Sequence, residues 1–321
     1  MAQVAKCVGV SPSAVSVVLS NTDSRIKVSD ATRQRIIEVA REMNYQPNMV
    51  ARSLRKQRTN IIGFYKSHGE MIDPENAFLG ALVHGVLAGC RDSTKNLLMY
   101  GHTATMSDND AYDEVLNGQL DGLVLYSWVP DSFTQRLTKS HLPIVTVADE
   151  VPGLPYVDVD DDLGGRLMVR YLVEKNYRRA LYWLPSFLLP SSAVRRHAGY
   201  LEEAARCGLD VEVLREDTPS ETVLKEIMAR KIRPEIISFH CDETAHTVIA
   251  ILNALGFQVP RDIAVTGFDG LSGVYPGLTT IYAPWKEVAR TAVSLLVQQG
   301  AGYSIPMRTT LPVELVVGET A

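Results

Sequence analysis

Residues 9–21 read Gly9-Val-Ser-Pro-Ser-Ala-Val-Ser-Val-Val-Leu-Ser-Asn21, and what flanks them makes this stretch the turn and second helix of a helix-turn-helix. Ahead of it Val4, Ala5 and Val8 form one apolar stripe; within it Val15, Val18 and Leu19 form another. Gly9 permits the positive φ of a sharp helix-to-helix turn. Ser11 suits an N-cap, and Pro12 suits the first helical position, where its missing N–H costs nothing. Ala5 is small enough for the second helix to cross closely. Downstream, Ser29 can cap a third helix carrying Thr32, Ile36, Val39/Ala40 and Met43 at i, i+4, i+7/8 and i+11. The pattern predicts a three-helix head.

Two functions suit such a head. One places the Ser11–Ser20 helix in a DNA major groove with its N-terminal side chains at base edges; the other is a plain three-helix bundle. Arg25, Lys27, Arg33 and Arg35 flank the turn and favour DNA. So does the charge distribution. Residues 1–60 hold ten Lys/Arg against four Asp/Glu, whereas residues 61–321 hold twenty-two against thirty-three, so the overall −5 conceals a basic head on an acidic body.

After the head comes Tyr45-Gln-Pro-Asn-Met-Val-Ala-Arg-Ser-Leu-Arg-Lys-Gln-Arg58. Asn48 can cap a helix of about two turns, marginal alone in water. Ala51 and Leu54 fall on one face, with Arg52, Arg55, Lys56 and Arg58 around them. An apolar wedge among basic residues suits a kinked minor groove.

The remaining chain alternates short apolar runs with amphipathic segments. Strands are expected at Ile61–Tyr65, Leu97–Tyr100, Gly122–Tyr126, Ile144–Val147, Val157–Val159, Ala180–Leu184, Val211–Leu214, Ile236–Phe239 and Ile263–Phe268. Helical stripes such as Phe78/Leu82/Val86/Cys90 lie between them. Fully apolar strands alternating with helices argue for parallel sheets covered on both faces, and nine strands divide more naturally into two sheets than one. No run of about 18 apolar residues marks a membrane span, and no secretory signal is evident. Four dispersed cysteines without a CxxC suggest neither disulfides nor zinc, which fits a reducing cytosol.

Three segments, GVSPSAVSVVLSN, VSDATRQRIIEVAREMNYQPNMVARSLR and TNIIGF, resemble the lactose-repressor/galactose-repressor (LacI/GalR) family of bacterial transcription regulators, and the resemblance runs the length of the chain. It implies an α/β architecture: a helix-turn-helix head (1–46), a hinge helix and linker (47–60), and a two-lobed, periplasmic-binding-protein-like core (61–321). The N-lobe would comprise 61–159 and 284–303, and the C-lobe 160–283 and 304–321. It implies DNA contacts from Ser11, Pro12, Ser13, Ser16 and Val17, with Leu54 as the wedge of a hinge helix starting at Asn48. Arg25, Tyr45, Ala51, Arg52 and Arg55 complete the expected DNA-facing set.

For the core, the resemblance implies that Asp269 and Arg196 anchor a small effector, with Trp285 at the pocket wall and Asp149 and Phe78 nearby. Asp149, Asp242 and Asp269 each follow an expected strand, where ligands of open α/β sheets bind. Carboxylates and a guanidinium beside aromatic faces suit a polyhydroxylated ring. An Asp after a strand also serves as a helix cap, and an aromatic there also serves as core.

The chain departs from the family in four places. The first helix must begin almost at Met1, either weakly capped or preceded by residues this chain lacks. Val17 stands where relatives carry a longer polar side chain, and it can pack on a thymine methyl but cannot grip guanine. Cys241-Asp242, preceded by His240, replaces Asn-Asp. Thr218 stands at the position of a second pocket aromatic.

The whole implies a cytoplasmic bacterial repressor with no cofactor and no catalysis. It would be dimeric on a near-palindromic operator and governed by a sugar-like or purine-like effector. The alternative is an intracellular sugar-binding protein or sugar-modifying enzyme with an accessory head. His240-Cys241-Asp242 with His246 could suggest a metal site or a cysteine nucleophile, but no further ligand follows from the spacing. Asp158, Asp160, Asp161 and Asp162 read more simply as a strand end meeting a helix N-terminus. GxGxxG, GxxxxGK[ST] and GxSxG are absent, so dinucleotide, P-loop and hydrolase readings lack their loops.

Overall fold

The computed structural model describes residues 1–20, 26–45, 58–66, 76–100, 107–127, 132–186 and 189–321. It divides into two units, Met1–Thr59 and Asn60–Ala321. Within the first, α1 (Ala2–Val8), α2 (Pro12–Ser20) and α3 (Asp30–Glu42) pack around Val4, Ala5, Val15, Val18, Ile36, Val39 and Ala40. Gly9 closes α1 at φ 76°, and the backbone N–H groups of Gly9 and Val10 both donate to the Ala5 carbonyl. Ser11 Oγ accepts from the Ala14 N–H at 3.2 Å, and Ser29 Oγ caps α3 through the Thr32 N–H. Met1 lends α1 no side-chain cap. Met43, expected in the third stripe, stays 40% exposed because α3 ends at Glu42.

The second unit holds two parallel sheets. In the N-lobe, β1 (Ile61–Lys66) pairs on one side with β2 (Asn96–Met99) and on the other with β3 (Gly122–Tyr126). Beyond β3 come β4 (Ile144–Val147) and β5 (Tyr156–Val159), giving the order β2-β1-β3-β4-β5. The C-lobe repeats this winding in four strands, β6 (Arg179–Leu184), β7 (Asp210–Arg215), β8 (Ile236–Phe239) and β9 (Ala264–Thr266), ordered β7-β6-β8-β9. In both sheets the order reverses beside the first strand, and a ligand crevice forms at such a reversal.

Helices α4 (Ala77–Asp92) and α11 (Trp285–Gly300) cover one face of the N-lobe sheet. They touch through glycines: a Cβ at Gly85 would collide with the Lys286 carbonyl, and one at Gly89 with Val293. The N-lobe also carries α5 (Asp108–Val115) and α6 (Ser132–Leu137). The C-lobe carries α7 (Asp161–Glu174), α8 (Ser191–Cys207), α9 (Glu221–Met228) and α10 (Asp242–Ala254).

Three short strands went unforeseen. β10 (Thr280–Tyr282) and β12 (Glu314–Val316) pair antiparallel as a separate ribbon. β11 (Arg308–Leu311) joins the N-lobe sheet alongside β5, with Thr310 opposite Asp158. The assignment of 304–321 to the C-lobe is thereby corrected for this strand: Asp158 accepts hydrogen bonds from Arg308 and Thr310, which holds the tail on the N-lobe edge. No described helix is long and apolar enough to cross a membrane alone.

Candidate functional site

A cavity of about 180 Å³ lies where the carboxyl ends of the two sheets face each other. Phe78, Tyr126, Ala148 and Asp149 line it from the N-lobe; Ser192, Arg196, His240, Cys241, Glu243, Asp269, Leu271 and Tyr275 line it from the C-lobe.

Arg196 is the centre of this site. It projects from α8 and is 5% exposed. Nε donates to Asp161 Oδ1 at 2.9 Å, and Nη1 donates to the His240 carbonyl at 2.7 Å and to Asp269 Oδ1 at 3.2 Å. The guanidinium lies 3.8 Å over the Phe268 ring. Burial opposes its charge, but the Asp161 and Asp269 carboxylates override that and keep it cationic. Nη2 makes no hydrogen bond to a described residue.

Asp269 is held from two sides. Its φ is 126°, a region that non-glycine residues seldom occupy, and the following Gly270 is at φ 70°. Backbone bonds with Ile281 and Ala283 fix that conformation. Burial pushes its carboxyl up, with Arg196 pulling the other way. Backbone strain of this kind, held at a carboxylate that lines a cavity, marks Asp269 as a candidate functional residue.

Asp149 bridges the lobes. It follows β4 at a turn where Ala148 has φ 69°, and its Oδ1 accepts from Ser191 Oγ at 3.0 Å and from the Ser192 N–H at 2.8 Å. It thus caps a helix of the opposite lobe, α8, whose own N-cap is Pro190 and lacks a capping side chain. Burial raises its carboxyl, and these bonds restrain the rise.

Of the other expected residues, Phe78 lines the cavity, edge-on to Trp285 at a centroid distance of 4.9 Å. Trp285 does not line it. As the first residue of α11 it is turned in behind Phe78, 2% exposed, on the wall of an adjoining cavity of about 530 Å³. Asp242 is also corrected. It is fully buried, its Oδ1 accepts from Thr280 Oγ1 at 2.5 Å, and its Oδ2 accepts from the Leu271 N–H at 2.8 Å. Its carboxylate pins the segment that carries Asp269, so its neighbours Cys241 and Glu243 face the cavity instead. Asp242→Ala is expected to cost about 2 kcal/mol by leaving a buried N–H and hydroxyl unpaired, read as a lowered midpoint in chemical denaturation.

Several site residues escaped the sequence reading. Asp161, taken as part of a helix N-terminus, is 1% exposed and shared by Arg195 and Arg196. Asp160 is the actual cap of α7. Tyr275 supplies the C-lobe aromatic, its ring 4.8 Å from His246, whereas Thr218 is exposed and outside the cavity. Nothing in spacing marks Tyr275, which reaches the site from the irregular segment after Asp269.

The nucleophile reading of His240-Cys241 finds no support. Burial holds the Cys241 thiol above its ordinary value, and that thiol shares a 3.1 Å hydrogen bond with Thr244. Burial and Arg196 bring His240 down to about 4, so it is neutral near pH 7. Among the described residues no group of three or more His, Cys, Asp or Glu is arranged to hold a metal.

On the head, Ser11, Pro12 and Ser13 are exposed at the start of α2, and Ser16 and Val17 are half-buried on the same helix. Tyr45 packs partly against the head's core. Arg25, Asn48, Ala51, Arg52, Leu54 and Arg55 lie outside the described residues.

Comparison with known proteins agrees with this architecture. The family model for bacterial regulatory proteins of the lacI family matches residues 1–48, and that for a periplasmic binding protein-like domain matches residues 169–321. A ribose operon repressor of Escherichia coli is 29% identical over 325 residues, 93% of this chain and 92% of its own. The HTH-type transcriptional repressor PurR of Erwinia tasmaniensis is 28% identical over 314 residues, 92% of this chain and 89% of its own. A lac repressor dimer solved with operator and an anti-inducer superposes at a TM-score of 0.81, with 24% identity, over 99% of this chain and 97% of that one. A transcriptional regulator CelR solved with cellobiose superposes at 0.70, also at 24% identity, over 99% of this chain and 98% of that one.

Proposed function

The chain belongs to the LacI/GalR family of bacterial transcription regulators, and we propose that it is a homodimeric repressor of a near-palindromic operator, released or engaged by a small polyhydroxylated effector. The observation that carries this reading is the buried Arg196, gripped by Asp161 and Asp269 on the wall of an interlobe cavity. The names of the ribose operon repressor and of the cellobiose-bound regulator favour a sugar.

The lobes already touch through Asp149 and the N-terminus of α8. An effector bound between them favours one lobe arrangement over the other, and coupling to DNA needs that preference to reach about 1–3 kcal/mol per site. The exposed start of α2 supplies the base-reading side chains, with Ser11, Pro12, Ser13, Ser16 and Val17 in the groove. Arg25, Tyr45, Asn48, Ala51, Arg52, Leu54 and Arg55 complete the DNA-facing set, and Leu54 is the wedge at the central step.

The test is selection of an operator from random duplexes, then titration of that operator at several salt concentrations. Affinity is expected to fall linearly on a log–log plot with a slope of several phosphate contacts. A flat dependence would remove the basic head as the DNA-binding element. Leu54→Ala is expected to weaken specific binding about tenfold or more, the scale of losing one unstacking wedge, while non-specific binding holds. Equal losses on both would refute the wedge.

A further inference from the structure

The charges around the interlobe cavity are unbalanced. Asp149, Glu243 and Asp269 line it, and Arg196 is the only Lys or Arg among its described lining residues. Two of that guanidinium's three nitrogens are already engaged by Asp161, Asp269 and the His240 carbonyl. His240 is neutral near pH 7 and adds no charge. Arg195 is turned away, onto Asp161 and Asp158. Lys286 borders the adjoining cavity, not this one. Residues 67–75, 101–106, 128–131 and 187–188, which follow strands β1, β2, β3 and β6, contain no Lys or Arg.

The unsatisfied valences point the same way. Asp149 uses Oδ1, Asp269 uses Oδ1, and Glu243 uses Oε2 to accept from Asn76 Nδ2 across the cleft at 3.2 Å. The second oxygens of Asp269 and Glu243 make no hydrogen bond to a described residue. These acceptors and the Arg196 Nη2 donor suit a ligand rich in hydroxyls, each of which can donate to a carboxylate or accept from Arg196. A phosphate or carboxylate in the same space would meet three carboxylates with one partly neutralised cation to offset them.

We propose that Glu243, acting with Asp149 and Asp269, makes this cavity selective for uncharged polyols and excludes their phosphorylated and carboxylated forms. The proposal rests on the reading of this cavity as the effector site. Glu243 has a double role in it: its charge sets the sign of the pocket, and its bond to Asn76, the N-cap of α4, ties the rim of one lobe to the other. A like charge placed about 6 Å from one such carboxylate, in a medium of effective dielectric near 20, weakens binding on the order of a hundredfold.

The experiment is calorimetric titration of the full chain with matched sets: free pentoses and hexoses, their phosphates, the corresponding sugar acids, the amino sugars, and purine bases without hydroxyls. An uncharged sugar binding about a hundredfold more tightly than its phosphate and acid supports the proposal, as does an amino sugar matching or exceeding its parent. In Glu243→Gln the ratio of neutral to anionic affinity should fall about tenfold or more, whatever happens to the absolute affinity. A phosphate or acid as the tightest ligand overturns the proposal, as does a hydroxyl-free base or a panel in which no uncharged polyol binds. Binding that survives Arg196→Gln unchanged overturns instead the placement of the effector in this cavity, which separates the two failures.

Discussion

Arg196→Ala should abolish effector binding and lower the melting temperature on the order of 10 °C. The substitution removes the cation between Asp161 and Asp269, which are 1% and 5% exposed, and leaves both carboxylates buried without it. Breaking a buried ion pair by deleting one partner costs about 3–5 kcal/mol, and each kcal/mol is worth about 2–4 °C for a core of this size. Asp161 keeps Arg195, so the larger share of the damage falls on Asp269.

The pH dependence identifies the cause. Burial already raises the Asp269 carboxyl and Arg196 restrains it; without Arg196 it rises further. A carboxyl whose folded value lies above its unfolded value stabilises the fold while protonated and loses that contribution as pH climbs through the folded value. The deficit of Arg196→Ala relative to the parent should therefore widen as pH rises through the range where Asp269 ionises and narrow as pH falls below it. A deficit independent of pH would mean that lost packing on Phe268, not the unpaired carboxylate, is responsible. Intact operator binding in the same variant would separate the effector site from the head.

Gly165→Ala should destabilise the core by about 3 kcal/mol, although at an open helical position the same change adds up to about 1 kcal/mol. Gly165 lies on α7 where α8 crosses it. A Cβ there would collide with the Arg196 carbonyl oxygen and crowd the Tyr200 N–H, and a Cβ at the facing Gly199 would collide with the Asp162 carbonyl oxygen. Both obstacles are backbone, so no rotamer relieves them and the helices must separate. Separation moves Arg196 relative to Asp161, one on each helix, so effector affinity should fall together with stability. Chemical denaturation reads the first and calorimetry the second. A neutral or stabilising Gly165→Ala would mean the helices do not meet as closely as described.

The head was the most legible part of the chain because its signals are local. A turn glycine, a capping serine and three stripes at helical spacing each act within a few residues, and Gly9, Ser11 and Ser29 do what their chemistry predicts. The nine short apolar runs were legible for the same reason. Strands β10, β11 and β12 were not, since three or four residues of mixed polarity carry no usable period. What fixes β11 is its partner, Asp158, far away in sequence.

The site divides along the same line. Sequence determined that carboxylates follow β4, β8 and β9 and that an arginine stands on α8, because strand ends and helix starts are set by local pattern. It could not determine which carboxylate faces the ligand. Asp242 and Glu243 are adjacent in the first turn of α10, and consecutive helical side chains point about 100° apart. Only the packing of the Leu271 and Thr280 segment against that turn drew Asp242 inward and left Glu243 on the cavity. Likewise only the packing shows that Gly165 and Gly199 let α7 and α8 meet, and so bring Asp161 to Arg196. A side chain's partner is decided by what the rest of the chain brings within about 3 Å of it, and that distance exists only in the folded molecule.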